Sequence, residues 1–127
     1  MSPTQRSLAL MRKTCSLVEI CERWNPFAKV RKDLYGFVDV LCCRGDEIIA
    51  VQTTSGSNVS ARFEKLRYLP AVVHWLSSPT RKIEIHGWAV RGAIGKRKLW
   101  TCRTVELALS ETNAVVMRLT TPQTPMI

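Results

Sequence analysis

Residues 31–58 read RKDLYGFVDVLCCRGDEIIAVQTTSGSN, and this stretch decides the fold. Residues 36–43 (GFVDVLCC) are β-branched, aromatic and apolar behind Gly36, which predicts a strand. Arg44, Gly45 and Asp46 make a turn, and residues 47–54 (EIIAVQTT) make the next strand, so the pair is expected as a hairpin. Side chains alternate faces along a strand. Asp39 is therefore expected beside Phe37 and Leu41, with Val38 and Val40 opposite, while Gln52 and Thr54 share a face with Ile48 and Ala50. A carboxylate midway along an apolar strand is costly to bury unless it is paired or metal-bound. If the hairpin joins the polar faces, Asp39, Gln52 and Thr54 converge on one patch. A divalent ion there would take the Asp39 carboxylate, the Gln52 side-chain oxygen and the Thr53 carbonyl, because hard ions prefer oxygen.

Upstream, residues 4–14 (TQRSLALMRKT) carry a helical apolar stripe with Thr4 as a plausible N-cap, and residues 16–23 (SLVEICER) form a strand that Trp24, Asn25 and Pro26 break. Downstream, Ser55 to Asn58 ends the third strand, and Ser57 or Asn58 caps a helix over residues 59–69. Residues 71–77 (AVVHWLS) fit a further helix or a buried strand equally well. Residues 82–90 (KIEIHGWAV) and 99–107 (LWTCRTVEL) are strands joined by a basic loop over 91–98. The order helix, three strands, helix, strand, strand predicts an α/β domain, one mixed β-sheet flanked by helices. That domain is expected over residues 1–110. Residues 111–127, ending TTPQTPMI, have turn and linker composition and are expected as a C-terminal tail.

The chain has 127 residues, the size of one domain with its own core. Nineteen Lys and Arg against ten Asp and Glu leave a net charge of +9. That surplus favours polyanions, and nucleic acid first among them, over a merely solvated basic surface or an acidic protein partner. The five cysteines, Cys15, Cys21, Cys42, Cys43 and Cys102, are odd in number and contain no CxxC pair, which argues against a disulfide framework and a spaced zinc site. A reduced, cytoplasmic protein without a signal peptide is expected. No apolar run approaches the ~18–20 residues that cross a bilayer, so no membrane partner is expected.

A glycine-led strand bearing Asp39, a turn, and a strand ending VQTT over residues 51–54 resemble the PD-(D/E)XK nuclease superfamily, most closely its small Holliday-junction-resolvase-like phage and bacterial members. The resemblance covers roughly residues 4–107 and rests on a short motif. It implies a restriction-endonuclease-like core, α-β-β-β-α-β, and metal-dependent hydrolysis of DNA with Mg²⁺ or Mn²⁺. By position, Asp39 matches the family's metal-binding aspartate, Gln52 its second acid, and Thr54 the lysine that orients the attacking water. Gln52 brings no charge and Thr54 no cation, and residues 4–14 lack the glutamate that the family carries on its first helix. Glu19, Glu22 or Asp33 could complete the acid set, with Asp33 favoured by its place just before the glycine-led strand. Lys65 or Lys32 could stand in for a migrated lysine. The resemblance also implies dimers on a two-fold junction. The alternatives are an inactive nucleic-acid-binding module and a phage-encoded protein-interaction factor on the same fold.

The residues expected to meet nucleic acid are Arg31 and Lys32, then Ser55, Ser57 and Asn58 at a helix N-terminus, Arg62 and Lys65 on one helical face, and Lys96, Arg97 and Lys98 in the basic loop. Trp24, beside Asn25 and Pro26 and close to basic residues, is the tryptophan to test for base stacking, whereas Trp75, Trp88 and Trp100 are expected in the core. His74 and His86 are not spaced as a metal pair and are expected to have no catalytic role.

Overall fold

A computed structural model of the chain describes residues 1–119 and 124–125. One mixed sheet runs through it in the order β1 (Leu17–Ile20), β4 (Val40–Arg44), β5 (Glu47–Ser55), β6 (Arg81–Arg91), β7 (Leu99–Leu109) and β8 (Val115–Leu119). A two-residue strand, β9 (Thr124–Pro125), also pairs with β7, and a separate ribbon joins β2 (Arg23–Asn25) to β3 (Val30–Lys32). All neighbours in the sheet are antiparallel except β5 and β6. That parallel pair needs a crossover, which α2 (Val59–Leu66) and α3 (Pro70–Leu76) supply. Residues 71–77, open between helix and strand in the sequence, thus lie mostly in α3.

The alternation of β5 assigns the two faces of the sheet. Ile49 and Val51 pack with Val40, Cys42, and with Leu8 and Met11 of α1 (Pro3–Met11). Ala50 packs with Ile83 and Ile85 of β6 and with Val59, Phe63, Leu66 and Val72 from α2 and α3. One helix therefore covers one face and two cover the other, as the apolar pattern predicts. The close approach of the crossover needs Gly87, because a Cβ there would collide with the Val59 side chain and crowd the Gly56 backbone.

Several local expectations are corrected. Ser2 rather than Thr4 caps α1, its hydroxyl accepting from the Gln5 amide at 3.2 Å ahead of Pro3, which suits the first helical position. Ser57 and Asn58 make no side-chain cap for α2; a 3₁₀ turn, Gly56–Asn58, precedes it, and Ser57 hydrogen-bonds Ser55 at 3.3 Å. The strand expected from residue 36 begins at Val40, because Tyr35 (φ 55°) and Gly36 (φ 81°) form a tight turn closed by the Phe37 amide on the Leu34 carbonyl. Phe37 and Val38 consequently enter the same core cluster, and strict alternation about Asp39 fails. Residues 115–119, within the stretch expected as tail, form edge strand β8; the rest of that stretch, apart from β9, lies outside the described residues.

All five cysteines are free, and burial pushes the Cys42 thiol up to about 12, so it is an inert core group. Among the described residues no helix is long and apolar enough to cross a membrane.

Candidate functional site

Asp39 sits just before β4, where its amide bonds the Val51 carbonyl at 2.9 Å and its carbonyl accepts from the Cys21 amide at 2.7 Å. Its side chain is almost fully buried (3 % exposed) and is met by the end of β5. Oδ2 accepts three hydrogen bonds: from Gln52 Nε2 at 2.8 Å, from the Thr53 amide at 2.8 Å, and from Thr53 Oγ1 at 3.1 Å. Thr53 Oγ1 is in turn 3.0 Å from Thr4 Oγ1, so helix α1 braces the arrangement. None of these three donors addresses Oδ1.

Two further carboxylates reach Asp39 through the ribbon. In the ribbon, Arg23 pairs with Lys32. Glu22 and Asp33 are the next residues at the base of the ribbon. The Tyr35–Gly36 turn then folds residue 39 back toward residue 33, with Leu34 bridged to Val38. Glu22, Asp33 and Asp39 each offer an oxygen, and these atoms all lie within 4.8 Å of one another. Burial, followed by the adjoining Asp33 carboxyl, raises the Asp39 carboxyl from 3.8 to about 7, against the opposing pull of the Thr53 amide.

These carboxylates open into a cleft of about 460 Å³ whose walls also carry Gln52, Thr53, Thr54, Arg31, Arg62 and Lys65. Arg62 and Lys65 lie three apart on α2, so they share the side turned to the cleft while Phe63 and Leu66 enter the core. Arg31 pairs with Glu22 at 3.3 Å, the chain's own countercharge to the acids.

The cleft unites Asp33, Asp39, Gln52, Thr53, Thr54, Arg31, Arg62 and Lys65 from the sequence reading. Gln52, expected as an oxygen ligand, presents its amide nitrogen to Asp39, and so it holds that carboxylate in place. Glu19 is exposed beside Leu41 in strand register and stays outside the cluster, whereas Glu22 joins it. Lys32 lines a neighbouring groove. Ser55, Ser57, Asn58 and the exposed Lys96, Arg97 and Lys98 do not line the cleft. No family model, curated protein or solved structure matches this chain.

The oxygen-only donor set suits a hard divalent cation such as Mg²⁺ or Mn²⁺ and disfavours zinc, copper or iron. Like-charge crowding at Asp39 is the condition that a bound cation relieves.

A second buried polar system lies below α1. His86, fully enclosed, contacts Ser7 Oγ through Nδ1 at 2.9 Å and Glu84 Oε1 through Nε2 at 2.9 Å. Ser7 Oγ also accepts from Trp88 Nε1 at 2.8 Å. Burial alone would lower the His86 pKa, but the Cys102 sulfur and the Glu84 carboxylate raise it to about 9. Glu84 is held below its usual range mainly by His86, despite its own burial. Ser7 and His86 are too enclosed to meet a substrate, so this chain of contacts is structural.

Proposed function

We propose that the cleft is the active site of a metal-dependent phosphodiester endonuclease acting on DNA, with the PD-(D/E)XK resolvases as the family it resembles. One observation carries this reading: three carboxylates from separate segments converge in a cleft whose other charged groups are Arg31, Arg62 and Lys65. Asp39, Asp33 and Glu22 would hold Mg²⁺ or Mn²⁺, which when bound polarises a phosphoryl oxygen and lowers the pKa of a water. Gln52, Thr53 and Thr4 fix the Asp39 carboxylate. Arg62 and Lys65 receive the phosphate, and Lys65 supplies from α2 the positive charge that Thr54 lacks on β5. Thr54, buried yet in the cleft wall, offers a hydroxyl for positioning water.

Incubation of branched and linear DNA with the protein and Mn²⁺ or Mg²⁺, beside an Asp39→Asn variant, tests the reading. Cleavage by the parent that Asp39→Asn abolishes supports it, and cleavage unchanged by that substitution overturns it. The replacement of the family lysine by Thr54 favours one second reading, a cleft that binds DNA without cutting it. Salt-sensitive binding with no hydrolysis in either metal would establish that instead.

A further inference from the structure

We infer that the β2–β3 ribbon is a stacking arm that receives an unpaired nucleotide beside the acidic cleft, with Trp24 as its platform. This rests on the nuclease reading for the meaning of the cleft, but the arm is argued from its own residues.

The ribbon stands apart from the main sheet. Its residues 23–32 (RWNPFAKVRK) contain four cations, Arg23, Lys29, Arg31 and Lys32, and no acid. They also leave three large apolar side chains in solvent: Trp24 at 59 %, Phe27 at 96 % and Val30 at 46 % exposed. The tip is built rather than loose, since Asn25 Oδ1 accepts from the Phe27 and Ala28 amides at 3.0 and 3.1 Å, and Lys29 takes a left-handed φ of 53°. An ordered element that exposes an indole gains nothing for folding from that exposure, and aromatic groups interleaved with cations match a nucleic-acid strand, base against ring and phosphate against cation.

Register fixes the arm's relation to the cleft. Trp24 is paired with Arg31 and Arg23 with Lys32, and Glu22 and Asp33 follow directly at the base of the ribbon, where their carboxylates meet that of Asp39. Cross-strand partners share a face of a ribbon, so Trp24 and Arg31 lie on one face, and Arg31 also lines the acidic cleft. Trp24 is two residues from Glu22, about 7 Å of extended backbone, a length that one extended nucleotide spans. Trp24 also lines a groove of about 580 Å³ that has Asp33 in common with the cleft. A base seated on Trp24 therefore leaves the adjoining strand beside the cleft, within reach of the Arg31 that pairs with Trp24 and lines that cleft. The same charge disfavours a second copy of this chain as the occupant, because two such arms would oppose cations to cations.

Equilibrium binding in EDTA, where no cleavage occurs, compares a fully paired duplex with the same duplex carrying a short gap that holds a fluorescent purine analogue. Trp24→Ala and Trp24→Leu are each expected to weaken binding of the gapped DNA on the order of tenfold and to leave the paired duplex unchanged. Trp24→Phe should restore most of the gap preference, and the quenching of the analogue on binding should vanish with Ala and Leu but not with Phe. Trp24→Leu keeps apolar bulk, so unchanged thermal stability in that variant separates stacking from ribbon folding. Equal losses on both DNAs, no loss on either, no binding of either DNA, or a dimer that dissociates in Trp24→Ala each overturns the arm. The nuclease reading is judged separately by Asp39→Asn, which can fail while the gap preference stands, or hold while it falls.

Discussion

Gln52 Nε2 lies 2.8 Å from Asp39 Oδ2, so Gln52 is a hydrogen-bond donor to the most buried carboxylate of the acidic cluster. A neutral donor there stabilises Asp39 without metal and withholds one negative charge from the cluster. Gln52→Glu should reverse both effects. It replaces a charge-assisted hydrogen bond with a like-charge contact, at a cost of roughly 2–3 kcal/mol at neutral pH. Denaturant unfolding should show that loss in EDTA, and calorimetry should show Mn²⁺ binding on the order of tenfold tighter than in the parent.

Asp39 sets a pH dependence of definite sign. Its carboxyl titrates near 7 in the folded chain against 3.8 ordinarily, so between these values the folded state binds more protons. Its contribution to stability is greatest below about 4 and is lost as the pH rises through 7. Without metal, Asp39→Asn should therefore be more stable than the parent at pH 8, by about 2 kcal/mol after allowing for the weaker hydrogen bonds of an amide, and less so at pH 5. Thermal melts at the two pH values measure this. Mn²⁺ affinity of the parent should rise through the same interval, since the ligand must be ionised.

The two α2 cations are expected to divide their work. Arg62→Met and Lys65→Met should each lower the slope of log affinity against log salt by about one, as the loss of one phosphate contact requires. On the proposed nuclease reading, only Lys65→Met should also cut the single-turnover cleavage rate, by about a hundredfold, because it removes the positive charge proposed to act where β5 carries Thr54. Equal rates for the two variants would assign that role elsewhere.

The enclosed His86–Glu84 pair predicts a second pH effect, in stability rather than activity. His86 is raised to about 9, so its contribution is complete below about 6.5 and fades as the pH rises through 9. Glu84 is lowered, so its contribution is present above its ordinary value of 4.5 and fades as the pH falls below it. His86→Leu strands Glu84 and Ser7 and should cost about 3–5 kcal/mol near pH 6, with a smaller deficit at pH 9.5. Guanidinium titrations at both pH values would show it.

The sheet was legible where side-chain alternation and apolar runs are strong. The β4–β5 hairpin, β6 and β7 follow from residues 36–54, 82–90 and 99–107 almost as the structure has them. The entry to β4 was not, because the positive φ that Gly36 shares with Tyr35 belongs to a turn, and a glycine ahead of an apolar run fits a turn and a strand opening alike. The ribbon was missed because Trp24, Asn25 and Pro26 read as a strand breaker and the flanking runs are short, exposed and basic. They hold no apolar periodicity, since no core lies beneath them. The edge strand β8 was hidden in a stretch of turn-forming composition. For the site, the pattern located Asp39, Gln52 and Asp33, and α2 spacing located Arg62 and Lys65. Choosing Glu22 over Glu19 required the tertiary approach of residues 22, 33 and 39, which local sequence does not set.

Two of the three carboxylates stand at the root of an arm that buries almost nothing, and an isolated two-stranded ribbon is marginal in water. The approach of these carboxylates to Asp39 is then governed by a local opening equilibrium far less costly than global unfolding. Backbone amides of residues 23–32 should exchange with deuterium orders of magnitude faster than those of β5, and DNA bearing an unpaired nucleotide should slow them. On the proposed reading, DNA that engages the arm would thereby order two of the carboxylates proposed to hold the metal, a coupling of folding to recognition.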